Sequence, residues 1–207
     1  MAGEVPRLIT LGAVRRALRD HRPYLVDAPE ARPAPAPAPA PAAVALVLAE
    51  SPQGVELLLI RRAERADDPW SGQIAFPGGR YDPGDSDLRA TAIRETREET
   101  GVDLTGAESL GALDDLHPRT PTLPPVVVRP FVFSLPRRVA LVPSDEVQRA
   151  FWLPLARLTD PDVRREVTLT LRGAKRTFPA YLVDGEVIWG MTERILSPFV
   201  DLVSKQQ

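Results

Sequence analysis

A short acidic segment between two glycine-containing turns constrains the fold of this chain more than any other feature. The run Arg94-Glu95-Thr96-Arg97-Glu98-Glu99-Thr100-Gly101-Val102 follows the turn sequence Phe76-Pro77-Gly78-Gly79. At ~100° per helical residue, Glu95, Glu98 and Glu99 fall within an arc of about 100° on one face. Like charges at this spacing destabilise an ordinary helix, whereas carboxylate oxygens are preferred ligands of Mg²⁺ and Mn²⁺. The segment therefore predicts a strand, a glycine turn and an acidic helix that binds a divalent metal.

These residues resemble the Nudix box, the signature of hydrolases that cleave a nucleoside diphosphate linked to another moiety. Gly79 opens the box, Arg94-Glu95 and Glu98-Glu99 match it, and Gly101-Val102 close it. Fourteen residues separate Gly79 from Arg94, where the common box has thirteen. Asp85 stands in place of the first Glu, and Thr96 replaces a hydrophobic residue. The coenzyme A pyrophosphatase branch of the family tends to carry the same extra residue and the same Asp.

The resemblance assigns roles to the residues of the box. The metal ligands that it implies are the carbonyl of Gly79 and the carboxylates of Glu95, Glu98 and Glu99, with Mg²⁺ or Mn²⁺ as the cofactor. The catalytic residues that it implies are Glu98, Glu99 and Glu146, the last either as general base or as a residue that orders a loop. Arg94 is expected to orient a carboxylate, and Asp85 is either an outer carboxylate or a helix cap.

The segment from Leu57 to Gly79 carries the expectation about substrate. Gly72-Gln73-Ile74-Ala75-Phe76-Pro77-Gly78-Gly79 fits the motif that precedes the box in the coenzyme A branch, whereas Asp67-Asp68-Pro69-Trp70 lies where that motif has an Arg. The candidates for substrate binding are Arg61, Arg62, Phe76 and Arg80. Arg61, Arg62 and Arg65 either contact the ribose 3′-phosphate of coenzyme A or are solvated charges at a strand end.

Composition excludes several classes of site and partner. The chain has no cysteine, which excludes disulfides and thiolate zinc sites, and it has only two histidines. Its net charge of −2 argues against a broad nucleic-acid-binding face. No apolar run approaches the ~20 residues of a membrane span, and no secretory signal is visible. We expect a cytoplasmic protein that binds small-molecule nucleotides, not nucleic acid or membranes, with a homodimer as a candidate assembly.

The order of hydrophobic patterns predicts an α/β fold, and the resemblance implies the Nudix α/β/α sandwich with a mixed sheet. We expect an N-terminal helical segment at 1–30, a stiff Ala-Pro linker at 31–43 and a Nudix domain at 44–204. Strands are predicted at 44–48, 55–60, 73–76, 108–113, 126–133, 168–171, 180–182 and 187–189. Helices are predicted at 8–21, 87–100, 144–149, 155–158 and 192–204, with Asp85 or Ser86 capping the second.

The expected function is hydrolysis of a pyrophosphate bond in a nucleoside diphosphate derivative. Coenzyme A or its thioesters are the favoured substrates, giving 4′-phosphopantetheine and adenosine 3′,5′-bisphosphate. The rival enzymes act on nucleoside triphosphates, dinucleotides or nucleotide sugars. A rival of another class is a Nudix-fold ligand sensor without catalysis, which has little need of three clustered acids.

Overall fold

The computed structural model describes residues 8–26, 39–65, 70–118, 125–171 and 173–206. Most of the predicted Ala-Pro linker lies outside these ranges, so its geometry stays a prediction. The helices are α1 (Leu11–Asp20), α2 (Leu88–Thr100) and α3 (Met191–Ser204). The strands are β1 (Ala40–Ser51), β2 (Gly54–Arg62), β3 (Ile74–Ala75), β4 (Gly78–Arg80), β5 (Glu108–Ala112), β6 (Val126–Leu135), β7 (Val147–Pro154), β8 (Arg164–Leu171), β9 (Ala174–Val183) and β10 (Glu186–Trp189). None of the helices in the described ranges is long and apolar enough to cross a membrane.

The long strand β1 organises the main sheet. Its first half lies between β4 and β6, so that Ala43 is opposite Gly79 in the antiparallel direction and opposite Arg129 in the parallel direction. Its second half forms a hairpin with β2, which also pairs with β3 and β7. Among the described residues, seven strands make this mixed sheet, and β8, β9 and β10 make a second, three-stranded one.

Alternate residues of β1 enter two hydrophobic cores, one on each face of the sheet. Val47 packs on the face covered by α2, together with Ala92. Leu46 packs on the opposite face with Val14 of α1 and Phe199 of α3. Period-two burial of this kind is expected for a sheet that is covered on both sides. The predicted α/β/α sandwich with a mixed sheet is therefore confirmed.

Capping interactions define both ends of helix α2. The Asp87 side chain caps the N-terminus by accepting a hydrogen bond from the Ala90 N–H at 2.7 Å. Gly101 ends the helix in the left-handed conformation, with φ of 72° and its N–H bonded to the Arg97 carbonyl. The predicted stop at Gly101 is confirmed. The predicted cap at Asp85 or Ser86 is wrong, because the Asp85 carboxylate binds Arg94 and Thr91 instead.

Two other predicted elements differ from the structure. Residues 144–149 do not form a helix: a turn at 145–146 leads into β7, whose aromatic residues Phe151 and Trp152 pair with the edge of β2. Strand β1 begins at Ala40, inside the predicted linker, because residues 40–43 have hydrogen-bonding partners in β6 and β4. The division of the chain into three segments otherwise stays a prediction.

Candidate active site

Two carboxylates of α2 lie against the glycine turn that precedes the helix. The Glu99 Oε2 atom accepts a hydrogen bond from the Gly78 N–H at 2.9 Å, and Glu99 is only 3% exposed. A Cβ atom on Gly79 would overlap the Glu95 carboxylate. Gly78 has φ of +153°, and a Cβ there would overlap the Ala43 carbonyl of β1. Gly78 is thus required by its positive φ and by the close backbone of β1, whereas Gly79 leaves room for the Glu95 carboxylate. Together they let strand β4 lie against the acidic face of α2.

Arg94 connects the other acids of this face. Its Nη1 donates to Glu95 Oε1 at 2.8 Å and to Glu98 Oε2 at 3.0 Å. Its Nε and Nη2 bind the two oxygens of Asp85 at 2.9 and 3.0 Å in a bidentate pair. Of the two roles considered for Asp85, the cap is taken by Asp87, and the Asp85 carboxylate instead holds the guanidinium beside Glu95.

The three glutamates predicted to act together are only partly brought together. The Glu98 side chain is 58% exposed and is directed to Arg94, away from the glycine turn. Thr96, the departure from the common box, is fully buried and donates its hydroxyl to the Ala92 carbonyl at 2.7 Å. The substitution at that position is therefore compatible with the helix, because the buried hydroxyl is satisfied within it.

The buried carboxylates have altered acidity. Burial raises the pKa of Glu99 to about 7, although the Gly78 N–H and the nearby Arg62 oppose the change. Burial also raises the pKa of Glu95, against the hydrogen bond from Arg94. Desolvation disfavours an ionised acid unless a cation compensates for the lost hydration. The site therefore favours a positive charge beside Glu95 and Glu99.

A loop before β7 places Glu146 at the rim of the same site. The Ser144 N–H donates to the Glu99 carbonyl at 3.1 Å, and the Ala63 N–H donates to the Glu146 carbonyl at 2.9 Å. These backbone bonds tie the loop to the end of α2 and to the residue after β2. The Glu146 carboxylate is exposed and pairs with Arg65 at 3.2 Å. Of the predicted catalytic acids, Glu99 and Glu146 thus lie in the same region of the structure, although their sequence positions are far apart.

A cavity of about 350 Å³ lies beside these carboxylates. Glu95, Glu99, Glu146 and Gly79 line it, and so do three of the predicted substrate-binding residues, namely Arg62, Phe76 and Arg80. Arg62 lies 3.9 Å from Glu99, Phe76 is buried in the wall, and Arg80 is exposed. Glu98 is not among the lining residues.

Arg61, the fourth predicted substrate-binding residue, does not line the cavity. Its guanidinium pairs with the buried carboxylate of Glu186, which also binds Arg149. It also donates to the Gly72 carbonyl at 3.4 Å. Arg61 therefore joins β2 of the main sheet to β10 of the second sheet, and its charge is engaged in this contact. A pairing across 125 positions carries no local sequence signal.

The donor atoms at the site fit a hard divalent cation. Among the described residues, no group of three or more His, Asp or Glu side chains already has the spacing of a metal site. The reason is visible in the side chains, since Glu98 and Glu95 are bound to Arg94 and Glu99 is bound to Gly78. The Gly79 carbonyl, the partly buried Glu95 and the buried Glu99 nevertheless offer oxygen ligands, which is the set that Mg²⁺ and Mn²⁺ prefer.

The sequence did not identify the residues that line the far side of the cavity. Val126 and Val128 of β6 and Met191, Thr192 and Ile195 of α3 contribute to it. The predicted strand at 187–189 and helix at 192–204 indicated a turn between them. Because this turn is far from the box along the sequence, nothing indicated that it lies at the cavity. The i, i+4 spacing of Met191 and Ile195 indicates one helix face and does not tell a cavity wall from a core.

Comparisons with known proteins agree with this geometry. A family model described as the NUDIX domain matches residues 38–172. An uncharacterized protein of Schizosaccharomyces pombe is 37% identical over 132 residues, which cover 61% of this chain and 40% of that protein. The human mitochondrial coenzyme A diphosphatase NUDT8 is 36% identical over 146 residues, which cover 69% of this chain and 61% of that protein. A MutT/nudix family protein from Enterococcus faecalis has the same fold, with a TM-score of 0.53 at 16% identity, over 96% of this chain and 75% of that one.

Proposed function

The chain belongs to the Nudix family of pyrophosphohydrolases, and on that premise we propose that it hydrolyses coenzyme A or acyl-CoA with the help of Mg²⁺ or Mn²⁺. The oxygen of a water molecule bonds to one phosphorus of the pyrophosphate, and the bond from that same phosphorus to the bridging oxygen breaks. The bridging oxygen leaves with the other phosphate, and the water gives up its protons. The products are two phosphomonoesters, 4′-phosphopantetheine and adenosine 3′,5′-bisphosphate. The observation that carries the proposal is the meeting of Glu95 and Glu99 with the glycine turn beside a cavity.

Different residues of the site have different roles in this reaction. The metal would be held by the carbonyl of Gly79 and by Glu95 and Glu99, with Glu98 able to join them if it leaves Arg94. When bound, the metal neutralises the charge of the pyrophosphate and favours an attacking water. Arg94 keeps Glu95 oriented, and Asp85 keeps Arg94 in place. Glu146 is the proposed acceptor of the water proton, because it lies at the cavity rim close to Glu99.

Coenzyme A is favoured over other nucleotides by two observations. The human relative at 36% identity is a coenzyme A diphosphatase. Arg62 and Arg80 line the cavity, and Arg65 pairs with Glu146 of its lining, so that the cavity carries guanidiniums of the kind that bind an additional phosphate. Arg61 is left out of this group because Glu186 engages it. The cytoplasmic location and the homodimer stay predictions.

A substrate panel tests the proposal. Purified protein with Mg²⁺ or Mn²⁺ is given coenzyme A, ADP-ribose, NADH, diadenosine polyphosphates and deoxynucleoside triphosphates. We expect kcat/KM for coenzyme A to exceed that for every other compound by about tenfold or more. Equal turnover of all compounds would contradict the specificity, and turnover of none would favour the ligand sensor.

A pair of variants tests the site independently of the substrate. We expect Glu99→Gln to lower kcat by at least about 100-fold, since it removes a charged oxygen ligand. Glu166→Gln on β8 is the matched control, because Glu166 is exposed and does not line the cavity. Full activity of Glu99→Gln would refute the assigned ligands.

A further inference from the structure

The cavity has two chemically different ends. One end is the acidic edge at β4, where Glu95 and Glu99 meet the glycine turn. The other end lies across β1 on β6, because Gly79 pairs with Ala43 and the adjacent Ala42 pairs with Val128. Two strand spacings separate β4 from β6, which places this second end about 10 Å from the glycine turn. A substrate whose pyrophosphate is at the acidic edge therefore extends one of its two halves over β6.

The far end is built from aliphatic side chains. Val126 and Val128 supply its floor with 7% and 5% exposure, and Val44 lies beside them. Met191 and Ile195, one helical turn apart on α3, supply its wall. These five residues, referred to below as the aliphatic end, carry no side-chain hydrogen-bond donor or acceptor apart from the weakly accepting thioether of Met191.

Two polar residues lie near this end, Thr192 and Gln73, the latter with its Oε1 atom 3.7 Å from the Cβ position of Gly190, and Thr192 is already engaged. The hydroxyl of Thr192 is buried and donates to the Ile74 carbonyl at 2.9 Å. A purine base placed at the aliphatic end would leave its polar edge unpaired among these side chains, which is costly. A branched aliphatic group has no polar atom to leave unpaired there, and its removal from water is favourable. The lining thus distinguishes between the two halves of coenzyme A.

We propose that the aliphatic end binds the pantoyl part of the substrate, whose dimethyl-substituted carbon lies close to the pyrophosphate. This inference rests on the proposed function and assigns the orientation of the substrate within the site. The adenosine half, with its additional phosphate, then lies toward Arg62 and Arg80 at the charged part of the cavity. Met191 and Val128 become determinants of specificity, with Met191 adapting its flexible side chain to the contact.

The two methionines of the chain, Met1 and Met191, make a direct test possible. Protein labelled with ¹³C at the methionine methyl groups gives one signal from the cavity, which Met191→Leu identifies by its loss. We expect 4′-phosphopantetheine to shift the Met191 signal in the presence of Mg²⁺, and adenosine 3′,5′-bisphosphate at equal concentration to leave it in place. A shift with the bisphosphate, equal shifts with both, or a shift with neither would overturn the inference.

Turnover gives a second readout. Val128→Thr keeps the shape of the side chain and adds a hydroxyl to the aliphatic end. We expect kcat/KM for coenzyme A to fall about tenfold and that for ADP-ribose to change less than about threefold. Val167→Thr on β8, outside the cavity, is the matched control. An equal loss with both substrates would mean that the aliphatic end binds the shared adenosine half.

These experiments separate failure of the inference from failure of the proposed function. The spectroscopic titration uses product halves and the wild-type protein, with Met191→Leu needed only to assign the signal, so its result does not depend on hydrolysis. If coenzyme A is hydrolysed while the Met191 signal follows the bisphosphate, the orientation is wrong and the function stands. If no coenzyme A is hydrolysed, the proposed function fails whichever half is bound.

Discussion

Replacement of Asp85 by Asn removes the charge that fixes Arg94 and leaves the shape of the side chain almost unchanged. The Asp85 side chain is 6% exposed and accepts hydrogen bonds from Arg94 at 2.9 and 3.0 Å and from the Thr91 hydroxyl at 2.8 Å. The Asp82 N–H adds a fourth bond at 3.2 Å. We expect Asp85→Asn to destabilise the fold, because an amide cannot form the bidentate ion pair.

The lowered pKa of Asp85 gives the size of the expected destabilisation. Arg94 is the main cause that lowers this pKa from 3.8 to about 2, with further contributions from Thr91 and the Asp82 N–H and with burial opposing them. At about 1.36 kcal/mol per pKa unit, the ionised carboxylate contributes up to about 2 kcal/mol to the free energy of unfolding. A lowered pKa in the folded state means that this stability is present above the pKa of the unfolded state and is lost as the pH falls toward about 2.

Urea unfolding of the wild type and of Asp85→Asn at pH 7 and pH 3 measures this contribution. We expect the difference in the free energy of unfolding to be about 2 kcal/mol at pH 7 and roughly half of that at pH 3. Asp82→Asn in the same loop is the control, since within the described ranges its carboxylate accepts a hydrogen bond only from the Gly84 N–H at 2.7 Å. We expect this control to stay within about 0.5 kcal/mol of the wild type.

A gap between the wild type and Asp85→Asn that does not depend on pH would refute the assigned ion pair. An Asp82→Asn variant as destabilised as Asp85→Asn would also refute it, because the effect would then belong to the loop and not to the ion pair. A stable Asp85→Asn protein with unaltered unfolding at pH 7 would contradict the close contact with Arg94.

Other substitutions examine the turn and the link between the sheets. Gly79→Ala should lower kcat by about tenfold or more, because its Cβ would overlap the Glu95 carboxylate, whereas Gly106→Ala has open space and should be neutral. Unchanged steady-state kinetics of Gly79→Ala would contradict this close approach. Arg61→Gln should lower the free energy of unfolding by about 1–2 kcal/mol and change KM for coenzyme A by less than about threefold, since its charge binds Glu186. Arg62→Gln should change the free energy of unfolding by less than about 1 kcal/mol and raise KM for coenzyme A by more than about threefold. A large increase in KM with Arg61→Gln would instead show that Arg61 binds substrate.

The local part of the site was predictable from the sequence, because its chemistry is contained in the box. The strand, the glycine turn, helix α2 and its stop at Gly101 follow from residues that are neighbours along the chain. The presence of Asp85 in place of the usual Glu was compatible with an outer carboxylate and with a helix cap. What the sequence left open was the choice between these two roles, since Asp85 and Asp87 are both able to cap and only the contact with Arg94 distinguishes them.

The remote part of the site could not be predicted from local patterns. Strand β7 was mistaken for a short helix at its start, because Ser144 and Glu146 are typical of helix beginnings and the pairing with β2 is not visible in the sequence. Arg61 and Arg62 are adjacent in the sequence and point to opposite sides of β2, as neighbouring strand residues do. One therefore reaches Glu186 and the other reaches the cavity, a distinction that depends on the strand's register.

The three glutamates of α2 differ in how well cationic side chains compensate their charges. The clustering of three glutamates predicted that only a metal would make them tolerable, but Arg94 already compensates for Glu95 and Glu98 by direct hydrogen bonds. Glu99 is different, because it has the Gly78 N–H at 2.9 Å and the Arg62 guanidinium only at 3.9 Å. The most buried acid thus has the weakest cationic partner of the three, and desolvation is most costly there. The electrostatic need for a divalent cation is therefore concentrated at Glu99, while the exposed Glu98 is stable with or without one.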